Sequence, residues 1–393
     1  MDKKQIQRLN KIIDDFVNLY NNGMAQRDEK WMKLIQITFG GSEIASIQGD
    51  NHWCPKINLV GMKCGIVQRD NPNLNTTWGQ FFEDVSAIFI NQYFLTEVKG
   101  DEMCITVHDG HSNSPDGIIV IHRYKDEKGR WELLTKDTEI DDETQIIHEI
   151  AMLEFKNPPI RKLSIKQVPH HYFGQIQSGL STVEIADFAL FVDSTFCICK
   201  LDQLKYNDKF NHDLHHYAVH RDIIGKSPIS IGFSIVYAKD KVKIKGELEN
   251  VSVDGVILQD IGSLNDTEGL PIVDLISKVQ SKAVDVIHSK HYFTGEMENK
   301  KDEIRDVIGQ VPVGHHPIAI VPWKLFDCNI IPVERDREFI TQMFKDIDET
   351  IADIRKIKDA PDVGKAYEEY CDENREPVDE VDKIDYAKML GLG

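Results

Sequence analysis

Residues 152–159, MLEFKNPP, decide how this chain is read. Residues two apart on a strand share a face. Leu153 and Phe155 therefore point one way, and Glu154 and Lys156 the other. The two prolines stop the strand just past Lys156, because neither can donate to a ladder. Taken alone, the Glu-x-Lys pair reads as a solvated edge, since charged residues alternate on the open face of many strands. Upstream, in SPDGII (residues 114–119), Asp116 sits in a turn that feeds an apolar strand. Such a turn is usually only structural. The two stretches together make chemical sense. Two converging carboxylates offer hard oxygen ligands to Mg²⁺ or Mn²⁺, and the carbonyl of Phe155 supplies another oxygen. A metal held there polarises a phosphoryl oxygen and lowers the pKa of a bound water. Lys156, on the face of Glu154, holds the attacking water and offsets developing negative charge.

The chain has 393 residues, 41% hydrophobic and 28% charged, which suits one large or two ordinary soluble globular domains. No apolar run is long enough to cross a bilayer. The first residues are charged and amphipathic rather than a signal peptide; Ile6, Leu9, Ile13 and Phe16 fall on one helical face. Seven cysteines without paired CxxC spacing, two of them in the apolar STFCICKL, suggest reduced thiols and an intracellular protein. A net charge of −19 argues against a generally basic nucleic-acid coat, not against an enzyme whose cations line one channel. Much of the acidic excess lies near the end, in YEEYCDENREPVDEVDKIDY, a solubilising helix or tail.

Along the chain, Gly40-Gly41 breaks the backbone, and Ser42 with Glu43 reads as a helix start that caps its own N–H groups or binds a phosphate. Trp78, Phe81, Phe82, Val85 and Phe89 form a buried helical stripe, with Glu83 beside it. Short strands follow, with a hairpin at Lys128-Gly129; HHYFGQIQSGLSTVEI reads as a helix and ADFALFVDSTFCICKL as a strand pair or one long strand. From Leu201 to Pro317 alternating strands precede a helical IVDLISKVQSKAVDVIH. A strand and the long helix REFITQMFKDIDETIADIRKIK close the chain. There is no solenoid repeat and no Walker-type glycine loop.

SPDGII followed by LEFKNP resembles the active-site core of the PD-(D/E)xK nuclease superfamily. FGGSEIASIQG, LVGMKCG, WGQFFE and YFGQIQSGL then occur in the order found in the lambda exonuclease and YqaJ-like viral recombinase family. PVERDREFITQMFKDIDETIADI resembles that family's last strand and C-terminal helix. The resemblance covers Trp31–Lys200 and resumes near Ile318. It implies an α/β, restriction-endonuclease-like fold: a central mixed sheet flanked by helices, with a nuclease core over residues 1–200, an inserted α+β section over 201–317, and a final strand, helix and acidic tail over 318–393. It also implies roles. Asp116, Glu154 and the Phe155 carbonyl ligate Mg²⁺ (or Mn²⁺), and Lys156 serves the nucleophilic water. Glu83 approaches a second metal or its waters, and Gln175 orients the water or the scissile phosphate. Ser42, with Glu43, lies by the 5′ phosphate, and Tyr172 and Gln177 contact DNA. The implied activity is a metal-dependent exonuclease that degrades one strand of linear duplex from its end, 5′ to 3′. The implied partners are duplex DNA ends and a single-strand annealing recombinase, the implied assembly a trimer, and the setting a large DNA virus in host cytoplasm or nucleus. The alternatives are a structure-specific or single-strand endonuclease and a catalytically silent DNA-binding or assembly protein.

This sequence departs from the family in three ways. Asp116 and Glu154 are farther apart than is usual, so the intervening residues are expected to form an extended hairpin beside the site. An arginine often found before the serine is missing from KLIQITFGGS, which has Lys33 instead. The 201–317 section has no counterpart in the smaller phage enzymes. A competing site, His212, His216 and His220 at helical spacing, suits zinc chemically but lacks a closing Cys or acid. His315 and His316 read as a loop entering a strand.

Overall fold

The computed structural model describes residues 2–20, 33–34, 36, 38–68, 74–101, 103–107, 110–159, 163, 166–210, 215–216, 223–240, 242–263, 270–293, 297 and 299–374. The helices are α1 (Lys3–Tyr20), the short α2 (Ile44–Ile47), α3 (Lys56–Lys63), α4 (Leu74–Phe94), α5 (His170–Thr182), α6 (Leu270–Gln280), α7 (Lys300–Ile308), α8 (Arg337–Lys358) and α9 (Val363–Asn374). The strands are β1 (Ile105–Val107), β2 (His111–Asn113), β3 (Gly117–Lys125), β4 (Trp131–Leu133), β5 (Ile146–Lys156), β6 (Phe188–Cys199), β7 (His215–His216), β8 (Ser230–Ala238), β9 (Asn250–Val253), β10 (Val256–Asp260), β11 (Asp285–His288) and β12 (His316–Glu334).

The fold is α/β, a mixed central sheet flanked by helices. The main path runs β11-β8-β12-β6-β5-β3-β4, with β10 joined to β12 and β9, and β7 to β6. β5 lies parallel to β6 and β10 parallel to β12; the other pairs in this sheet are antiparallel. β12 is the long strand that unites the sheet. Its first half pairs with β8 and its second half with β6, with irregular register at Pro317/Ala319 and Leu325/Asp327. Through β8, β11, β9 and β10, the 201–317 section extends the same sheet.

Alternation sorts the side chains onto two faces. Ile119, Ile121, Leu153, Phe155, Leu190 and Val192 pack against the aromatic stripe of α4 and against Ile272, Leu275 and Ile276 of α6. Ile118, Val120, Ile150, Met152 and Phe191 pack against Ile13 and Phe16 of α1 and Ile176 and Leu180 of α5. A smaller cluster joins Phe39, Ile44, Ile47 and Leu59 to Met343 and Ile347 of α8. Among the described residues, no helix is long and apolar enough to cross a membrane.

Three expectations differ from the structure. The chain between Asp116 and Glu154 does form a hairpin, but not beside the site. Tyr124 pairs with Ile146 at the far end of the ladder, and nine residues of β3 place its turn about 30 Å away along the strand. The helix read through residues 272–288 stops at Gln280. Lys282 takes a positive φ of 55°, and Asp285–His288 pairs with β8 as a strand. His216 lies in β7, paired to Ile198, not at helical spacing; His212 and His220 lie outside the described residues.

Candidate active site

β3 and β5 bring the sequence-distant pieces together by register. Gly117 pairs with Leu153, so the next residues outward, Asp116 and Glu154, emerge at the same edge. Parity sets the direction on β5. Glu154 and Lys156 continue the face of Ile150 and Met152, toward the α1 and α5 layer, whereas Asp116, in the bend before β3, lines a cleft with Phe155 and with Glu83 of α4. The Phe155 side chain faces α4. Its backbone N–H donates to Asp116 Oδ2 at 2.6 Å, tying the two strands at the edge. β5 ends at Lys156, directly before the prolines. Asn157, almost fully buried, anchors that end to α4: its Oδ1 accepts from Ser86 Oγ at 2.9 Å and its Nδ2 donates to the Gly79 carbonyl.

Glu154 is 4% exposed. Lys156 Nζ donates to Glu154 Oε1 at 2.5 Å and stands 5.1 Å from the centre of the Tyr172 ring. Burial would lower the Lys156 pKa, but Glu154 and Asp116 more than offset it, so the amine is held above its usual range. Lys156 therefore stands beside Glu154 as a charged ammonium. Asp116 moves the other way for a carboxylate. Burial, then the charges of Glu154 and Glu83, push its carboxyl well above its usual range, against Lys156 and the Phe155 N–H. Glu83, on α4, thus reaches the same edge from the opposite layer. Two carboxylates act on the Lys156 ammonium, and a third, Glu83, acts on Asp116.

A cleft of about 510 Å³ opens at this edge, lined by Asp116, Phe155, Glu83, Asp84 and Asp101 on one side and by Tyr237, Gln280, Lys282, Asp285 and His288 of the 201–317 section on the other. Among the described residues, no three His, Cys, Asp or Glu side chains stand close enough to enclose a metal ion. The donor set nevertheless suits a hard cation. Mg²⁺ is usually bound by one or two carboxylates plus waters and substrate phosphates, not by an all-protein cage. The mutual repulsion at Asp116 is the kind of charge excess that a cation relieves.

The remaining predicted residues fall into two groups. Ser42 is exposed, in a single 3₁₀ turn, Gly41–Glu43. That turn sits directly on α5: a Cβ on Gly41 would meet Asn113 Oδ1 at 2.5 Å, Ser178 Oγ at 3.2 Å and Gln175 Cγ at 3.4 Å. Gln175 is partly exposed there, one helical turn along from Tyr172. Ser42, Gln175 and Tyr172 thus border one surface. Glu43 is engaged within the protein, and Gln177 is enclosed by it. Glu43 Oε2 accepts from the Gly40 N–H at 3.0 Å and from Lys63 Nζ at 2.8 Å. Gly40, not Ser42, is the capping residue. Lys63, buried in α3, also donates to the Thr38 carbonyl at 2.6 Å. Gln177 is fully buried; its Nε2 donates to the Glu334 carbonyl at 2.9 Å, and its Oε1 accepts from Asp336 N at 2.8 Å. A nucleic acid cannot reach it; it clamps the junction of β12 and α8.

Two residues escaped the sequence reading. Asn157 carries no pattern that marks it. Asp193 does: it is an acid inside the apolar run FALFVDSTFCIC, and charged residues are rarely fully buried. It is 0% exposed, opposite Lys156 in the β5–β6 register.

No family model matches the chain. It is similar to a protein of African swine fever virus, with 26% identity over 382 residues to the version from isolate Tick/Malawi/Lil 20-1/1983, covering 96% of this chain and 100% of the relative. The version from isolate Tick/South Africa/Pretoriuskop Pr4/1996 is also 26% identical, over 383 residues, with the same coverage. Among solved structures, the chain is similar to an alkaline exonuclease, LHK-Exo, from Laribacter hongkongensis, at 16% identity and a TM-score of 0.28, over 43% of this chain and 74% of that one. The LHK-Exo complex with dAMP gives the same identity and TM-score over 47% and 77%. A superposition at that level says nothing of activity.

Proposed function

We propose that this protein is a metal-dependent DNA exonuclease of the lambda exonuclease type, with a restriction-endonuclease-like core. One observation carries the reading: Asp116, Glu154 and Lys156 converge at the paired ends of β3 and β5, with Glu83 facing them from α4. Two acids on one cation, with a third acid acting on one of them, have no structural reason to share an edge, since unbalanced buried charge is destabilising. They do suit phosphodiester hydrolysis. A bound Mg²⁺ (or Mn²⁺) would be held by Asp116 and Glu154, with the Phe155 carbonyl and Glu83 beside them, and would supply Lewis acidity at the phosphate and a more acidic water.

The chain's own residues do the rest. Lys156, kept protonated by Glu154, sets a positive charge where the phosphate's charge grows and orients the attacking water. Tyr172 restricts the Lys156 side chain from the α5 side. Gln175 and Ser42, on the adjoining surface, position the DNA end. The strand is degraded 5′ to 3′ for recombination or repair, in infected host cells, in company with a strand-annealing partner.

The test is digestion of linear duplex with Mg²⁺, in parallel with a covalently closed circle. Mononucleotide release from the linear substrate alone is expected. Cleavage of closed circles would replace the exonuclease with an endonuclease. Full activity in both Glu154→Gln and Lys156→Ala would sink the site.

A further inference from the structure

We propose that Trp53, with His52, His171 and Tyr172, forms a stacking platform for unpaired nucleobases that leads to Lys156; this rests on the nuclease reading above. Trp53 is 72% exposed, a large aromatic ring left in water beside the site. Its position is built rather than incidental. Asn51 Oδ1 accepts from Trp53 N at 3.1 Å and from Cys54 N at 3.2 Å, and Asn51 Nδ2 donates to Ser46 Oγ at 3.1 Å. The turn thus holds the indole outward.

The rings then run inward in sequence. Trp53 lies 4.3 Å from His52 and 5.8 Å from His171, centroid to centroid. His171 lies 4.1 Å from Tyr172, and the Tyr172 ring faces the Lys156 ammonium at 5.1 Å. Phe191 of β6 backs Tyr172 at 5.7 Å. His170 Nδ1, 3.2 Å from Asp50 Oδ2, fastens the Trp53 turn to the start of α5.

The continuity of this row with Lys156 identifies the occupant. A strand whose phosphate reaches Lys156 must lay its neighbouring nucleotides somewhere. Aromatic rings accept bases regardless of sequence, because every base has a π-face. A protein-docking tryptophan would sit among aliphatic neighbours in a dry patch; Trp53 sits between two imidazoles.

The experiment compares binding of two fluorescein-labelled single strands of equal length, an oligothymidylate and an abasic deoxyribose-phosphate oligomer, to full-length Glu154→Gln protein, which leaves the probe uncut. Both probes carry the same phosphates, so only the first can stack. The oligothymidylate is expected to bind about fivefold or more tightly. Adding Trp53→Ala brings that ratio close to one, while Trp53→Phe keeps most of it. Affinity for the abasic strand stays level across the three proteins, which shows that they are folded. A ratio near one in the parent, or one that Trp53→Ala leaves unchanged, overturns the platform; the first result would reassign Trp53 to a protein partner. The two readings fail separately. Wild-type protein that cuts DNA without base-dependent binding loses the platform only. Base-dependent binding in a protein that cuts no DNA loses the nuclease only.

Discussion

The β3–β5 ladder carries charges at both of its ends, and the two ends balance them differently. Away from the site, Arg123 donates to Glu149 through Nε at 2.6 Å and Nη2 at 3.0 Å, and its guanidinium lies 5.0 Å from the centre of the Phe188 ring. One cation meets one anion in a bidentate fork, both largely screened from water. At the other end, Asp116 and Glu154 share Lys156, Glu83 adds a further negative charge beside Asp116, and the Asp116 carboxyl is driven upward by burial and by its acidic neighbours. The strands, the sheet and the antiparallel pairing are the same. A matched pair holds strands in register, whereas an unmatched set costs stability and persists where a ligand completes it.

The largest effect should come from the unmatched end. Asp116→Asn is expected to lower digestion of linear duplex by about a hundredfold or more. Its melting temperature should stay level or rise. A carboxyl whose folded-state pKa lies above its unfolded value destabilises the fold once pH exceeds the unfolded value, and asparagine cannot ionise. Thermal melting and nucleotide release on the same preparation decide this. A variant that melts early but still cuts would make Asp116 a structural residue.

The matched end should answer in the opposite sense. Arg123→Met strips Glu149 of its partner and is expected to cost about 2 to 3 kcal/mol by denaturant unfolding, with activity per folded molecule unchanged. Adding Glu149→Leu should recover much of that, because removing both partners leaves no orphaned charge. Loss of activity in Arg123→Met at full stability would erase the contrast between the ends.

What could be read in advance follows the range over which each signal acts. The parity of Glu154 and Lys156, the α4 stripe and the proline stop are local and periodic, and the structure has all three. The meeting of Asp116 with Glu154 was legible only through a family resemblance, because register between strands so far apart in sequence leaves no local trace. Gln177 was misplaced because α5 is enclosed by the sheet on one side and by the β12–α8 junction on another. A polar residue facing that junction looks, in sequence, like one facing solvent. The link from Glu43 to Lys63 could not be read because Lys63 lies on a different helix. The 201–317 section offered alternating strands, but not the knowledge that β8 and β10 would pair with β12.

Midway along the ladder His122 pairs directly with His148, and their Nδ1 atoms stand 2.9 Å apart in a buried contact. This hydrogen bond needs one Nδ1–H and one bare Nδ1, so a doubly protonated pair cannot form it. Burial first, then the charge of His148, lowers the His122 pKa from 6.5 to about 4. Burial also lowers that of His148. For a histidine depressed in the fold, the unfolded chain binds more protons between the two values. Stability is then fully present above the unfolded pKa and is lost as pH falls toward the folded one. His122 alone should cost about 1.5 kcal/mol between pH 7 and pH 5. The variant His122→Val/His148→Val, which replaces both partners by strand-favouring apolar residues, should lose less stability over that interval by about this amount. Urea unfolding of both proteins at the two pH values reads the difference directly. Equal losses would mean that the two histidines take up protons in the fold as readily as in the unfolded chain, so that their buried contact opens as pH falls.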